Sequence, residues 1–254
     1  MKSTLLGSSN AERTGLSPTT TRARLTAMGL LLTSVCFVFA AYGRTGAPER
    51  ANSATSASSS TAAAFPKDIY PDTGNRFPAI KRDELDEAGK KLYDARGVAD
   101  TFGPGAIRLY SPLVADSMSS INEYLRRKSG IEPRLVELAI LVTAREMDCE
   151  YVWTAHEPSA QKAGLAQSVI DTVKNRKPVA GLGEKEAVII ELGRDSIGKH
   201  KVGSETFAGA VKLFGNQGVV NILSLMGDYA ATTILLNASD QHIRPSDKPL
   251  LPIP

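Results

Sequence analysis

The segment from Pro133 to Gly164 contains most of the side chains that could do chemistry. It reads PRLVELAILVTAREMDCEYVWTAHEPSAQKAG and holds one of the two cysteines, one of the three histidines and the only tryptophan. Glu137 lies inside its apolar run and shares a helix face with Ile140. Burial of a carboxylate raises its pKa unless a cation or a hydrogen-bond donor compensates. Glu137 is therefore a candidate catalytic group, and a surface ion pair with Arg134 is the alternative.

His156 is the second candidate catalytic group, because an imidazole near a buried glutamate makes a workable acid/base pair near neutral pH. It follows Cys149 by seven residues and Val152 by four, so the three side chains fall on one side of a helix. The alternative is a core histidine whose ring nitrogens are bound by the backbone or by Glu157. The other histidines are distant in sequence and no Cys/His spacing matches a metal motif, so we expect no metal site.

Cys149 is the third candidate, at an expected helix start behind Asp148. The helix dipole there favours the thiolate, whereas the charges of Asp148 and Glu150 oppose it, and the net direction stays open. An inert buried thiol is the alternative. Cys36 lies in an apolar segment near the N-terminus, so Cys149 is expected to be the single thiol of the folded part, without a disulfide framework.

The N-terminal quarter of the chain has the composition of a targeting segment followed by a linker. After a polar and basic region (1–24), residues 25–42 read LTAMGLLLTSVCFVFAAY without a charge, which predicts a signal peptide or an uncleaved membrane anchor. Residues 43–66 are rich in Ser, Ala and Thr, which predicts a flexible, disordered linker. We therefore expect an exported protein (secreted, periplasmic or membrane-anchored) with its folded domain at 67–254.

Hydrophobic periodicity in the folded part predicts an all-α fold, a single helical bundle, since no convincing alternating strand occurs. Asp83 and Ser204 are candidate helix caps, and apolar residues recur at helical spacing from Leu113 to Leu125. A formal charge of +3 over 254 residues, without a Lys/Arg run interleaved with aromatics, argues against nucleic-acid binding. The expected helices lie at about 84–96, 112–128, 133–147, 149–163, 167–175, 183–199, 205–214 and 216–237.

Taken together, these residues resemble the carboxymuconolactone decarboxylase family, which also contains the alkylhydroperoxidase D proteins. The likeness covers roughly residues 82–243 and is carried by ELAIL-x-TAR, CEYVWTAHEPSAQKAGL, LGEKEAVIIELGRDSIGKHKVGSETF and a later apolar helix with GDYAATTILLNA. The resemblance implies an all-helical fold that assembles as a homo-oligomer, a trimer or hexamer, with its site near subunit interfaces.

The hydroperoxidase branch of the family is marked by E-x11-C-x2-C-x3-H, and this chain lacks the second cysteine. Glu137, Cys149 and His156 match the first, second and fourth marked positions, whereas Val152 stands at the third, where the second cysteine belongs. Valine cannot resolve a sulfenic acid, so the dithiol cycle is not available within this helix. A thiol peroxidase that uses Cys149 with an external resolving thiol is one alternative function.

The decarboxylase branch needs no thiol. The resemblance to it implies a cofactor-free lyase or isomerase that acts on a small carboxylated or lactone substrate, with Glu137 and His156 as the proton-transfer pair. Arg145 is a candidate ligand for a substrate carboxylate, although an ion pair with a neighbouring acid is the alternative. Trp153 and Tyr229 are candidate substrate contacts, with a core aromatic as the alternative for Tyr229.

Two further hypotheses concern the polar residues of the C-terminal helix and a protein that has lost its catalytic activity. Polar side chains recur at helical spacing on this otherwise apolar helix and line either the site, an inter-subunit contact or a solvated face: Asn221, Ser224, Asp228 and Thr232. A non-catalytic exported oligomer that keeps the fold is the third functional hypothesis.

Overall fold

The computed structural model describes residues 65–95 and 100–254, and within these ranges the protein is all-α, as the sequence predicts. The predicted signal segment and nearly all of the predicted linker lie outside the described residues. Short 3-10 turns occur at Arg82–Glu84 and Arg108–Tyr110, and a π-helical turn follows the seventh helix at Arg194–Gly198. The helices are α1 (Glu87–Ala95), α2 (Pro104–Ile107), α3 (Pro112–Arg127), α4 (Pro133–Glu146), α5 (Glu150–Lys162), α6 (Gln167–Lys174), α7 (Glu184–Gly193) and α8 (Ser204–Ala238).

Helix α4 is the central helix of the bundle. Every residue from Leu135 to Arg145 is buried, and α4 packs against α5, α7 and α8. Between its charged ends the sequence of α4 is apolar on nearly all sides apart from Glu137, which is typical of a helix enclosed by others. Pro133 occupies the first turn, where its missing N–H costs no hydrogen bond. The apolar run therefore places the Glu137 carboxylate in the interior of the bundle.

Helix α8 consists of two helical segments that meet at Gly215. This glycine has a φ of 65°, a conformation that residues with a side chain rarely adopt, so it breaks the helix where the sequence predicts a boundary. Within the described ranges, α8 alone is long and apolar enough to cross a membrane by length and composition. More than half of its most apolar window (56%) is buried, which is equally typical of the core helix of a globular domain.

Helix α3 turns much of its apolar side outward. Leu113, Val114 and Ile121 are 79%, 48% and 43% exposed, whereas Leu125 is 2% exposed and packs in the core. Apolar residues at helical spacing usually predict a buried helix face, but on α3 several of them are exposed. They leave an apolar surface on α3.

Three helix starts differ from the sequence prediction. Gly203, and not Ser204, is the N-cap residue of α8. Asp86, and not Asp83, caps α1, since its Oδ1 accepts the N–H of Gly89 at 2.7 Å. Cys149 itself is the N-cap residue of α5. Asp148 precedes it with a positive φ of 47°, which turns the chain sharply between α4 and α5.

Side-chain amides fix the segment before α1 to the residues that follow α8. Asn75 Nδ2 donates to Gln241 Oε1 at 2.9 Å, and the same oxygen accepts the N–H of Gly103 at 3.2 Å. Gly103 has a φ of 85° and leaves no room for a Cβ beside Tyr151. These contacts hold the start of α2 against α5.

Candidate active site

Helices α4 and α5 bring Glu137 and His156 into contact, as the sequence suggests. Glu137 Oε2 lies 2.7 Å from His156 Nδ1, and the two side chains are 9% and 14% exposed. The sharp turn between the helices lets two residues 19 positions apart meet in the bundle interior. The surface alternative for Glu137 does not occur, because Arg134 pairs with Glu132 and Glu186 instead.

Arg126 of α3 binds the second oxygen of the same carboxylate. Its Nη2 donates to Glu137 Oε1 at 2.9 Å. Burial alone would raise the pKa of Glu137, but the hydrogen bonds and charges of His156 and Arg126 outweigh it and leave that pKa below its ordinary value. Glu137 is thus a carboxylate at neutral pH, and its Oε2 accepts a hydrogen bond when His156 Nδ1 carries a proton. His156 Nε2 is then the nitrogen that can exchange a proton with a ligand.

A cavity of about 360 Å³ opens beside His156. Glu137 does not line it and sits behind the imidazole, so a ligand in the cavity meets the histidine first. The lining residues with polar groups include Arg108, Asn122, Arg126, Tyr151, His156 and Tyr229. The cavity is at the lower end of the ~300–1,000 Å³ range of small-molecule sites.

Helix α8 forms another wall of the cavity. The Tyr229 ring meets the His156 ring edge to face, with centroids 5.1 Å apart. Burial raises the pKa of the Tyr229 phenol, so it stays protonated. Thr232 lines the cavity too, whereas Asn221 lies elsewhere and donates to the Ser129 carbonyl at 3.3 Å.

Asp228 lies next to this wall as a buried carboxyl group. Its Oδ2 accepts a hydrogen bond from Asn122 Nδ2 at 2.7 Å, while its Oδ1 is buried without a hydrogen-bond partner among the described residues. Burial raises the pKa of Asp228 in spite of the hydrogen bond from Asn122 and the charges of Arg108 and Arg126.

Cys149 lies in the hydrophobic core and outside the cavity. It is 1% exposed and does not line the cavity, although Val152 of the same helix does. Burial raises the pKa of the Cys149 thiol even with backbone hydrogen bonds at the helix start. The sequence leaves the direction of this pKa shift open, and in the structure the effect of desolvation is larger than that of the helix dipole. The protein has a protonated thiol there at neutral pH.

Arg145 and Trp153 are placed away from the cavity. Arg145 Nη1 donates to the Pro252 carbonyl at 2.7 Å and lies 3.3 Å from Asp148, so it holds the C-terminal tail. Trp153 is fully buried, and its Nε1 donates to Glu157 Oε2 at 2.5 Å. Neither side chain reaches the site in this structure, and both stabilise the fold.

Comparisons with known proteins agree with this architecture. Residues 112–190 match the sequence model of the carboxymuconolactone decarboxylase family. A crystal structure from Ralstonia eutropha JMP134, titled as an alkylhydroperoxidase AhpD core and an uncharacterized peroxidase-related protein, is similar at a TM-score of 0.54 and 14% identity, over 66% of this chain and 92% of that one. At this identity the likeness concerns the fold alone. No curated protein matches the chain.

The decarboxylase-family segment supplies only part of the site. It contains Glu137, His156 and Arg126, whereas Arg108 and Tyr229 lie outside the matched residues. Sequence reasoning missed both arginines and Asn122. Asn122 and Arg126 stand one helical turn apart on α3, a signal that could have been read as one polar face. Within the described ranges no group of His, Cys, Asp and Glu could hold a metal ion.

Proposed function

We propose that this protein is a cofactor-free lyase or isomerase that transfers a proton on a small carboxylated or lactone substrate. His156 is the acid/base group, and Glu137, held by Arg126, orients and stabilises it. The observation that carries the proposal is the 2.7 Å contact between Glu137 and His156 beside a cavity that Cys149 does not line. Tyr229 stands at the same wall as a hydrogen-bond donor to the substrate.

The isomerase reaction needs His156 and a substrate whose carbonyl stands one carbon away from a carbon–carbon double bond. Nε2 removes a proton from the carbon beside the carbonyl, and the C–H electron pair moves to the carbonyl oxygen as an enolate. The imidazolium, stabilised by the Glu137 carboxylate, returns the proton to a conjugated carbon, and the double bond moves. General acid–base catalysis of this kind raises the reaction rate by about 10²–10⁴-fold.

The lyase reaction begins from the imidazolium. The bond between the substrate and its carboxylate breaks, CO2 leaves, and the electron pair remains on the conjugated system as a dienolate. His156 then donates its proton to carbon, and solvent supplies the next one. The Glu137 carboxylate lies 2.7 Å from Nδ1 of the ring that carries out this proton transfer.

The thiol peroxidase is the weaker alternative. Attack on a peroxide requires an accessible thiolate, whereas Cys149 is buried with a raised pKa. The non-catalytic hypothesis is also disfavoured, because the cavity beside His156 is open to a ligand.

Turnover of two substrate panels tests the proposal. The panels are small lactone acids, followed by ultraviolet absorbance, and alkyl hydroperoxides with dithiothreitol. We expect the wild type and Cys149→Ser to act on the first panel, and His156→Gln to lose about 10²-fold or more. Hydroperoxide turnover that Cys149→Ser abolishes would instead establish the thiol peroxidase.

We also propose that the protein is exported and forms a homo-oligomer. The exposed apolar side chains of α3 support a homo-oligomer, because exposed apolar patches on a protein often mark a protein–protein contact. Light scattering of the domain 67–254 and of Ile121→Glu measures the mass, with a trimer or hexamer expected for the first and a smaller species for the second. Fractionation of cells that express the full chain tests export.

A further inference from the structure

Three arginines line the cavity, and two of them are engaged by acidic side chains. Arg126 binds Glu137 at 2.9 Å. Arg127 binds Glu123 at 2.6 Å, and its side chain is 70% exposed at the rim. Their charges are therefore balanced within the protein.

Arg108 is the third arginine, and it has no such partner. Its Nη2 donates to the Thr232 hydroxyl at 2.5 Å, but it forms no ion pair with a residue in the described ranges. The side chain is mostly buried, and burial lowers the pKa of its guanidinium, with the charge of Asp228 acting in the opposite direction. Arginine nevertheless stays cationic in proteins. A desolvated cation with most of its donors unused is costly unless something compensates it.

We propose that Arg108 binds the carboxylate of the substrate, so that the substrate is a small organic acid held between Arg108 and His156. This inference rests on the proposed function and names its substrate class. The guanidinium fork offers a carboxylate two parallel hydrogen bonds, which a neutral lactone oxygen cannot match.

The carboxylate on Arg108 is a spectator in the reaction. A carboxylate that leaves as CO2 loses its charge, so an arginine bound to it would stabilise the ground state more than the transition state. Arg108 and His156 line the same cavity from different elements, the 3-10 turn before α3 and helix α5. The acid is therefore anchored at one group while its reacting carbon faces the other.

The position of Arg108 has a consequence for specificity. It lies before residue 112, outside the segment that matches the decarboxylase family. The 3-10 turn before α3 thus contributes the group that selects an anion, while residues 112–190 contribute the proton-transfer pair.

Binding measurements test this assignment without any turnover. The probes are small unsaturated and aromatic carboxylates, such as benzoate and 2-furoate, each paired with its neutral amide, and the readout is the dissociation constant from calorimetry. For the wild type we expect at least one carboxylate to bind about 10-fold or more tightly than its amide, which corresponds to about 1.4 kcal/mol. Arg108→Gln should bring this ratio close to one.

Two matched variants separate this proposal from its alternatives. Arg127→Gln removes a cavity arginine that is already paired, and it should keep the preference for the carboxylate. His156→Gln should keep the preference too, so a failed proton-transfer mechanism would leave this result intact.

Circular dichroism melts establish that each variant is folded. Arg108→Lys keeps the charge, and it should retain part of the preference if Arg108→Gln does not fold. A wild type without preference in any pair, or an unchanged ratio in folded Arg108→Gln, would overturn the assignment.

Discussion

Arg126 and Glu137, eleven residues apart on successive helices, form a 2.9 Å ion pair that is largely shielded from water. The pair occupies one carboxylate oxygen and leaves the other for His156. A carboxylate bound on both oxygens is fixed in position and charge, and it fixes the imidazole tautomer in turn. The chemistry of the site therefore depends on a residue that never has to touch the substrate's reacting carbon.

Arg126→Gln should move the pH dependence of activity. Arg126 is one of the groups that lower the pKa of Glu137, so its removal raises that pKa. The acid limb of kcat/KM, where protonation of Glu137 stops the reaction, should then shift to higher pH. Arg127→Gln, with its exposed pair to Glu123, is the control and should leave the profile unchanged. Identical acid limbs for wild type and Arg126→Gln would show that Glu137 is not coupled to catalysis.

Asp228→Asn should stabilise the protein, and more so as the pH rises. The pKa of Asp228 is raised on folding, so the native state binds this proton more tightly than the unfolded state does. Stability is then greatest below the unfolded pKa and is lost as the pH rises through the folded pKa. Melting temperatures of both proteins from pH 4 to 8 should diverge toward pH 8.

The control for this experiment is Asp195→Asn, which should act in the opposite direction. A hydrogen bond from Lys199 is the main cause that lowers the pKa of Asp195. Its contribution to stability is present above the unfolded pKa and is lost on acidification. A loss of stability at pH 8 in Asp228→Asn, like that in Asp195→Asn, would contradict the account of Asp228.

The Cys149 thiol should react slowly in the native protein. Because it is 1% exposed and its pKa is raised, a disulfide reagent such as DTNB should label it rapidly only after unfolding in guanidinium. Cys149→Ala should cost on the order of 1 kcal/mol of stability and leave turnover near that of the wild type. Fast native labelling, together with a sulfenic acid trapped by dimedone under peroxide, would restore the peroxidase hypothesis.

Trp153→Phe should affect folding and not substrate binding. The change removes the hydrogen bond from the indole to the buried Glu157 carboxylate, an interaction worth about 1.5–3 kcal/mol. Guanidinium unfolding should report a loss of that order, with an unchanged KM. A KM that rises by about 10-fold in a variant of nearly normal stability would place Trp153 at the substrate after all.

The sequence predicts the helical architecture because hydrophobic periodicity is a local pattern. It also marks Glu137 and His156 as candidates, but their contact depends on the packing of α4 against α5. An acid inside an apolar run implies its own burial, and the break at Gly215 follows from its conformational freedom. The pKa of the Cys149 thiol depends on two opposed effects, since the helix dipole lowers it and desolvation raises it. The packing of α5, which the sequence does not give, decides which effect is larger.

The arginines of the cavity could not be predicted in the same way. Arg126 meets Glu137 through the packing of α3 against the core, and Arg108 lies in a short 3-10 turn without periodicity. Arg145 shares a helix with Glu137, which makes it a candidate by sequence, yet its side chain donates to the Pro252 carbonyl in the C-terminal tail. Shared helices suggest proximity along the chain, whereas the site is assembled across helices.

The central claim is that His156, and not Cys149, exchanges a proton with carbon. Its most direct measurement is deuterium incorporation into a small keto or lactone acid in D2O, followed by proton NMR with wild type, His156→Gln and Cys149→Ser at equal concentration. We predict that wild type and Cys149→Ser exchange the carbon-bound proton at similar rates, and that His156→Gln is slower by about 10²-fold. Exchange that persists in His156→Gln and disappears in Cys149→Ser would contradict the account.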